Sequence, residues 1–298
     1  VAADNPVPVP AWHSLARVFF SSAGLLGAPI VPSDCLLCHS PLDCITSVPV
    51  CSACLATVRP QLEKNLCRRC ATRLDADSFA SGQDFLCDEC RESPPKFEKV
   101  LAFGEYSGEL RELVHQLKFS GIHSIAALLA ARMAQTLETQ RAIFSDPQME
   151  MHPQPLLVTA VPLFGPKQRS RGFNQARWLA VELSKNLRRA GWNIREDYEL
   201  LHRKRATRSQ FELNLQQRRA NMRGVFGPGE NIEAARDANI LLIDDIVTTG
   251  TTARQCAAAL KKNGAAAVWV MAAARAQRED TAVWHTQERA SHAYGAMQ

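Results

Sequence analysis

The sequence predicts an α/β protein, with a parallel sheet carrying helices on both faces and a small metal-binding module in front of it. Three observations predict this. Runs of four or five consecutive apolar residues alternate with amphipathic segments of helical period, as strands buried on both faces alternate with crossover helices. Nine of the ten cysteines fall between Cys35 and Cys90, eight of them as four C-x-x-C pairs. The apolar run Ile240-Leu241-Leu242-Ile243 ends in two adjacent carboxylates, Asp244 and Asp245, followed by a hydroxyl- and glycine-rich loop and a helical run.

Residues 1–33 form an extension with the apolar stretches Val18-Phe19-Phe20 and Ala23 to Gly27, but without a basic segment leading into a long apolar one. A signal peptide is therefore not expected. Residues 34–96 form the cysteine-rich module. Its pairs are Cys35/Cys38, Cys51/Cys54, Cys67/Cys70 and Cys87/Cys90, separated by 12 to 16 residues. Each pair offers two thiolates to one tetrahedral ion, which predicts two structural zinc sites. A disulfide module would need export to an oxidising compartment. Sequential pairing of the knuckles closes the shorter loops and is favoured over a crossed pairing. Cys44 and Cys256 are left over; Cys256 reads as core and His39 as solvated. Arg91 to Lys96, with two prolines, reads as a stiff polar linker.

Residues 97–275 carry the α/β pattern. Val100 to Phe103 reads as a strand, Gly108 to Lys118 as a helix with Leu110, Leu113, Val114 and Leu117 on one face, and Ile125 to Leu137 as a second helix. A proline-rich loop, Asp146 to Pro155, leads to a strand at Leu156 to Pro162. Gly172 to Ala190 is an amphipathic helix stopped by Gly191. After the Ile240 strand and the helix Ala253 to Lys262, Gly264 caps again and Ala267 to Met271 gives a further strand. Residues 276–298 are polar and aperiodic, a tail. An apolar content of 46% supports a real core, and no apolar run approaches the roughly 18 residues of a membrane span.

The chemistry concentrates after Ile243. Thr248, Thr249, Gly250, Thr251 and Thr252 wrap the N-terminus of the next helix, where free N–H groups and the helix dipole favour a phosphate monoester. Asp244 and Asp245 accept hydrogen bonds only, which suits vicinal sugar hydroxyls or a magnesium ion held through water. A Walker-B strand would need a G-x-x-x-x-G-K-[ST] partner, and the chain has none. A receiver-like acidic pocket would leave the Thr/Gly loop unexplained. An ordinary buried strand would not carry two adjacent carboxylates.

Residues 167–223 hold fifteen Lys and Arg against five Asp and Glu, a local charge of +10 in a chain of +5. That asymmetry suits a polyanion, either a pyrophosphate or a nucleic acid. Lys185, Arg188 and Arg189 read as a solvated helix face. Arg169-Ser170-Arg171-Gly172-Phe173-Asn174-Gln175 forms a basic entry loop to a helix, a second anion-ready N-terminus.

Asp244-Asp245-Ile246-Val247-Thr248-Thr249-Gly250-Thr251-Thr252 resembles the signature of type I phosphoribosyltransferases, which bind 5-phosphoribosyl-1-pyrophosphate (PRPP). The resemblance implies that Asp244 and Asp245 hold the ribose hydroxyls and that Thr248 to Thr252 hold the 5′-phosphate. Further motifs narrow it. They are the cysteine knuckles, His115-Gln116-Leu117-Lys118-Phe119, R-G-F-N-Q at Arg171 to Gln175, R-x-R-x-T-x-x-Q at Arg203 to Gln210, and R-x-x-N at Arg218 to Asn221.

Taken together and in this order, roughly from Cys35 to Arg275, they resemble the ComF (GntX-like) family of phosphoribosyltransferase-like proteins. A purine-salvage phosphoribosyltransferase would not carry the zinc module. The resemblance implies a cytoplasmic, PRPP-binding glycosyltransferase linked to DNA uptake, with an unidentified acceptor. Asp244, Asp245, Arg169 and Arg171 would act on the reacting ligand. Magnesium, Arg169, Arg171 and Lys118 would neutralise pyrophosphate, and Arg203, Arg205 and Arg208 would form a lid. The competing class is a non-catalytic PRPP sensor that grips single-stranded DNA. The aromatics available for stacking on bases are few: Phe119, Phe173, Trp178 and Trp192. His115 is a candidate base, with a structural histidine as the plainer reading.

Overall fold

Edge and centre are distributed in a parallel sheet by which strands are apolar on both faces, and that rule orders this one. The computed structural model describes residues 34–42, 48–61, 65–74, 85–144, 154–165, 172–205 and 224–277. The extension, Cys44, most of the Asp146–Pro155 loop, Arg169, Arg171, residues 206–223 and nearly all of the tail lie outside the described residues. In chain order the main elements are α1 (Ser52–Thr57), α2 (Asp88–Glu92), β1 (Val100–Glu105), α3 (Gly108–Phe119), α4 (His123–Thr139), β2 (Leu156–Ala160) and α5 (Gln175–Arg189). Then follow β3 (Ile194–Glu196), β4 (Leu201–Arg203), β5 (Phe226–Pro228), β6 (Asn239–Val247), α6 (Thr251–Lys262) and β7 (Ala267–Arg275).

Five strands form one parallel sheet in the order β1-β7-β6-β2-β3. The long apolar strands β6 and β7 lie inside, and three-residue β3 lies at one edge. Alternate side chains enter two cores, following the period-two geometry of a strand. Leu101, Val158, Leu241, Ile243 and Met271 face α3, α4 and α5. Val100, Leu157, Ile240, Leu242 and Val270 face α6. The expected α/β architecture, helices on both faces, is the observed one.

Local chemistry sets the boundaries. α5 starts at Gln175 rather than at the predicted Gly172, because Gly172 sits at φ +78 and Asn174 caps the helix, its Oδ1 accepting from the N–H groups of Ala176 and Arg177. Leu179, Leu183 and Leu187 are fully buried along one stripe, so truncating any one to Ala costs about 2–5 kcal/mol. Strand β6 runs past its apolar stretch to Val247, its pairing to β7 continuing as far as Arg275. Strands β3, β4 and β5 carry no legible alternation and were not expected; β4 and β5 pair antiparallel as a separate ribbon beside α6.

The cysteine segments wrap the free edge of β1. Gln61 donates its backbone N–H to Phe103 O (2.6 Å), and Val100 donates to Arg69 O (2.7 Å). A Cβ on Gly104 would lie 2.5 Å from Leu110 Cδ2 and 3.0 Å from Arg59 O, so only glycine allows this approach. Cys35, Val50 and Val58 join the α3/α4/α5 core, while Cys67, Cys70, Cys87 and Cys90 join the α6 core.

Candidate functional site

The carboxyl end of β6 places Asp244 and Asp245 side by side in sequence and on opposite faces in space. Asp245 turns toward α3 and α5. There its carboxylate pairs with Lys118 Nζ at 3.2 Å and accepts from Gln175 Nε2 at 3.1 Å. Burial works against its charge, but Lys118 and these hydrogen bonds hold its carboxyl below the usual range. Asp244 turns to the α6 face, toward Cys256 and Arg203. It forms no ion pair among the described residues and accepts the backbone N–H of Asp245 at 2.9 Å. Burial, with the charge of Asp245 beside it, pushes its carboxyl well above the usual range. The adjacent carboxylates are therefore chemically distinct. Lys118, expected on pyrophosphate, is held by Asp245; burial disfavours its ammonium, but the carboxylates outweigh that and raise its pKa.

After Val247 the chain bends through Thr248 and Thr249 to Gly250, which caps α6 at φ +74, a left-handed conformation costly for any residue with a Cβ. Open space surrounds its Cβ direction, the nearest atom being Val247 Cγ1 at 3.9 Å. The glycine is thus required by backbone angle. Gly250 has no side chain to cap α6, the one backbone N–H that Thr249 Oγ1 accepts is that of Thr251 at a long 3.4 Å, and no acidic residue lies in the first turn. This is the condition under which helix N–H groups and dipole serve an external anion. The hydroxyls of Thr249 and Thr251 bond each other at 2.8 Å, fixing the turn.

Arg203 ends β4, with its guanidinium 5.7 Å above the Phe226 ring; burial lowers its pKa, and the nearby Cys256 and Asp244 only partly oppose that. Arg205 follows at the end of the described segment. His115 packs on Phe119 at 4.4 Å, on α3. Of the aromatics expected at the surface, Phe119 is exposed, while Phe173 stacks on Trp178 at 4.1 Å. Trp192 is instead buried, its ring against Phe144, because it closes the core under the end of α5.

Each cysteine quartet is built the same way. A tight knuckle (Cys35 to His39, Cys67 to Ala71) ends in a left-handed residue, and a short helix begins at the third cysteine and carries the fourth. The quartets are Cys35, Cys38, Cys51, Cys54 and Cys67, Cys70, Cys87, Cys90, the sequential pairing, with all four Sγ of each within 4.8 Å of one another. Cys38 and Cys51 Sγ are 3.7 Å apart, and Cys70 and Cys87 Sγ 3.6 Å. Disulfides need about 2.05 Å. A tetrahedron with Zn–S of about 2.3 Å has edges of about 3.8 Å, so the donor sets fit zinc. Burial would raise the Cys35 thiol, but backbone N–H groups, that of Cys51 among them at 3.3 Å, bring it down to about 6 and ready it as a ligand.

Two further arginines, which no sequence motif singles out, complete the site. Arg254, in the first turn of α6, donates Nη2 to Cys90 Sγ at 3.2 Å and Nη1 to Ser93 O at 2.6 Å. Arg275, at the end of β7, donates Nε to Cys70 O at 2.9 Å and Nη1 to Val247 O at 3.0 Å, and also bonds Thr248 O and Thr72 Oγ1. Only their placement just after the loop and at a strand end hinted at them.

No family model matches the chain. It is 32% identical over 240 residues to the DNA utilization protein YhgH of Salmonella typhi, covering 80% of this chain and 96% of that one. It is 27% identical over 190 residues to competence protein F of Haemophilus influenzae, covering 64% of this chain and 78% of the relative. Among solved structures it overlaps hypoxanthine-guanine phosphoribosyltransferase from Schistosoma mansoni over 52% of this chain and 67% of that one. The identity there is 14% and the TM-score 0.28, an overlap that by itself assigns nothing.

Proposed function

This chain belongs to the ComF family, with the DNA utilization protein YhgH and competence protein F among its relatives, and from that premise we propose that it binds PRPP and transfers ribose 5-phosphate to an unidentified acceptor, releasing pyrophosphate. The observation that carries this reading is the end of β6, where two carboxylates with different surroundings lead into a left-handed glycine and a helix N-terminus that has no acidic residue in its first turn. A ribose phosphate has vicinal hydroxyls for the first feature and a dianion for the second.

In this reading Thr248 to Thr252 hold the 5′-phosphate, and Asp244 and Asp245 orient the ribose. The bond from C1 to the pyrophosphate oxygen breaks as the bond to the acceptor forms, and the acceptor's proton passes to water. The transition state is oxocarbenium-like, so positioning and charge stabilisation of the leaving group supply the rate. Arg203 and Arg205 would offset that developing charge, with Lys118 acting through its ion pair to Asp245; the same role falls to Arg169 and Arg171 on the sequence resemblance alone, since both lie outside the described residues. Magnesium, if bound with PRPP, would supply further neutralisation of the leaving group, and Asp244, an oxygen donor without an ion pair among the described residues, is the residue that would hold it. Residues 34–96 would be the zinc module and 97–275 the transferase-like domain. The thiolate quartets suit a reducing compartment, the cytoplasm; among the described residues no helix is long and apolar enough to cross a membrane.

Titration calorimetry with magnesium-PRPP tests binding, and labelled PRPP with a pool of bases and oligonucleotides tests transfer through a ribosylated product. Equal PRPP affinity in wild type, Asp244→Asn and Asp245→Asn would remove the ribose assignment. A second reading, a non-catalytic PRPP sensor gripping single-stranded DNA, draws support from the relatives' names and from the +10 charge of residues 167–223. Oligonucleotide affinity that falls steeply with salt, without any turnover of PRPP, would favour it.

A further inference from the structure

The segment from Val247 to Arg254 contains the whole anion loop, and both of its ends are fastened to the second cysteine quartet. At the front, Arg275 grips the carbonyl oxygens of Val247 and Thr248. A trans peptide points its C=O and its N–H in opposite directions. The two carbonyls held by Arg275 therefore belong to the peptide units whose other ends are the N–H groups of Thr248 and Thr249, which open the loop. At the back, Arg254 holds the first turn of α6 to Cys90 Sγ and to Ser93 O, with Glu89 at 3.5 Å.

Charge explains why both links end on a metal site. Arg275 is 3% exposed and has no carboxylate within ion-pair distance among the described residues; it bonds carbonyls and the Thr72 hydroxyl. Burial works against its charge, and the Cys70 and Cys87 sulfurs, then Glu89, favour it. A buried guanidinium without a counter-ion is costly. Four thiolates around one divalent ion would carry two net negative charges; Arg275 and Arg254, the latter shared with Glu89 at 3.5 Å, are the cations set against them. Among the described residues the first quartet has no such connection. It joins the core on the opposite face of the sheet, against α3, α4 and α5.

We propose that Arg275 and Arg254 are positioning residues that make the anion-binding conformation of the Thr248–Thr252 loop depend on metal at the second quartet, and not on metal at the first. The proposal rests on the PRPP reading of that loop. Linkage then requires the converse: ligand on the loop tightens metal at Cys67, Cys70, Cys87 and Cys90.

The test uses the full zinc-loaded chain and two readouts. Magnesium-PRPP affinity is measured by calorimetry, and zinc release to a chelating indicator is followed with and without PRPP. In the wild type, PRPP slows the release of one of two zinc ions and leaves the other unchanged. In Arg275→Gln the charge-assisted bonds to the loop are lost, so PRPP affinity falls about tenfold or more and the protection disappears, with both zinc ions retained at the start. Arg275→Lys, which keeps the charge without the fork, falls between. Arg254→Gln, at a less buried position, shows the same loss in smaller measure and keeps the result readable if Arg275→Gln does not fold.

PRPP that binds the wild type but protects neither zinc, or binds Arg275→Gln and Arg254→Gln as tightly as the wild type, overturns the coupling and leaves the PRPP reading standing. A wild type that gives no binding signal at millimolar magnesium-PRPP overturns the PRPP reading, and the coupling falls with it.

Discussion

Replacing Lys118 by Met keeps the length of the side chain and removes its charge, leaving Asp245 buried with Gln175 and the N–H of Ile246 as partners. At the observed 3.2 Å the attraction is about 5 kcal/mol at an effective dielectric constant of 20. Desolvation of the ammonium offsets part of it in the wild type. Removing one partner of a buried pair commonly costs about 3–5 kcal/mol, and that is the loss expected near pH 7.5.

The pH dependence should change sign. In the wild type Lys118 holds the Asp245 carboxyl below its usual value, so Asp245 stabilises the fold above the unfolded carboxylate pKa of about 3.9 and loses this as pH falls through its folded value. In Lys118→Met only burial acts in strength, the folded pKa rises, and the neutral form becomes the favoured one. Stability from that group is then present at low pH and lost as pH rises. Urea unfolding of both proteins between pH 5 and 8 should therefore diverge as pH increases. Asp245→Asn in the Lys118→Met background should recover most of the loss at pH 7.5, because the orphaned charge is gone. A Lys118→Met protein within about 1 kcal/mol of wild type at pH 7.5, with the same pH slope, would refute the buried-pair argument.

Metal analysis should find two zinc ions per chain and no iron–sulfur absorption, and chelation should unfold the cysteine segments, since structural zinc contributes on the order of 10 kcal/mol; one zinc or none in carefully prepared protein would sink the two-site assignment. Asp244 accepts ribose hydroxyls more strongly as a carboxylate than as a neutral acid, and its carboxyl is raised well above the usual range. PRPP affinity should therefore increase as pH rises through the raised value of Asp244, above the usual carboxylate range, while Asp244→Asn should bind about tenfold or more weakly and lack this component; identical pH profiles in the two would contradict the assignment. Replacing Arg203, Arg205 and Arg208 together should impair PRPP binding or turnover with little change in DNA binding if they form a lid. Untouched PRPP affinity with loss of oligonucleotide binding, its salt slope falling by about one unit per lost contact, would make them a DNA track instead.

Patterns confined to one stretch of chain were legible without the fold. The apolar run of β6 with its carboxylates and threonine loop, the helical stripe of α5, and the four C-x-x-C pairs each express a local rule of strand, helix or ligand geometry, and the structure keeps all three. Sequential pairing of the knuckles also followed, because loop closure favours near neighbours. The three-residue strands β3, β4 and β5 were illegible, since a segment that short has no period to read.

What only the tertiary structure decided is who meets whom across the sheet. The two adjacent aspartates face different cores because a strand alternates its side chains, and the neighbours on each face come from distant elements: Lys118 for Asp245, Arg203 and Cys256 for Asp244. In the same way the parallel pairing of β6 with β7 sets Val247 beside Arg275, and the cysteine segment wrapped over β1 carries Cys70 to the same guanidinium, 205 residues away in sequence. Spacing along a chain encodes a helix face or a metal knuckle. The long-range contacts of a sheet depend on strand order and register, which no local pattern carries, and here they bind the second cysteine quartet to the anion loop.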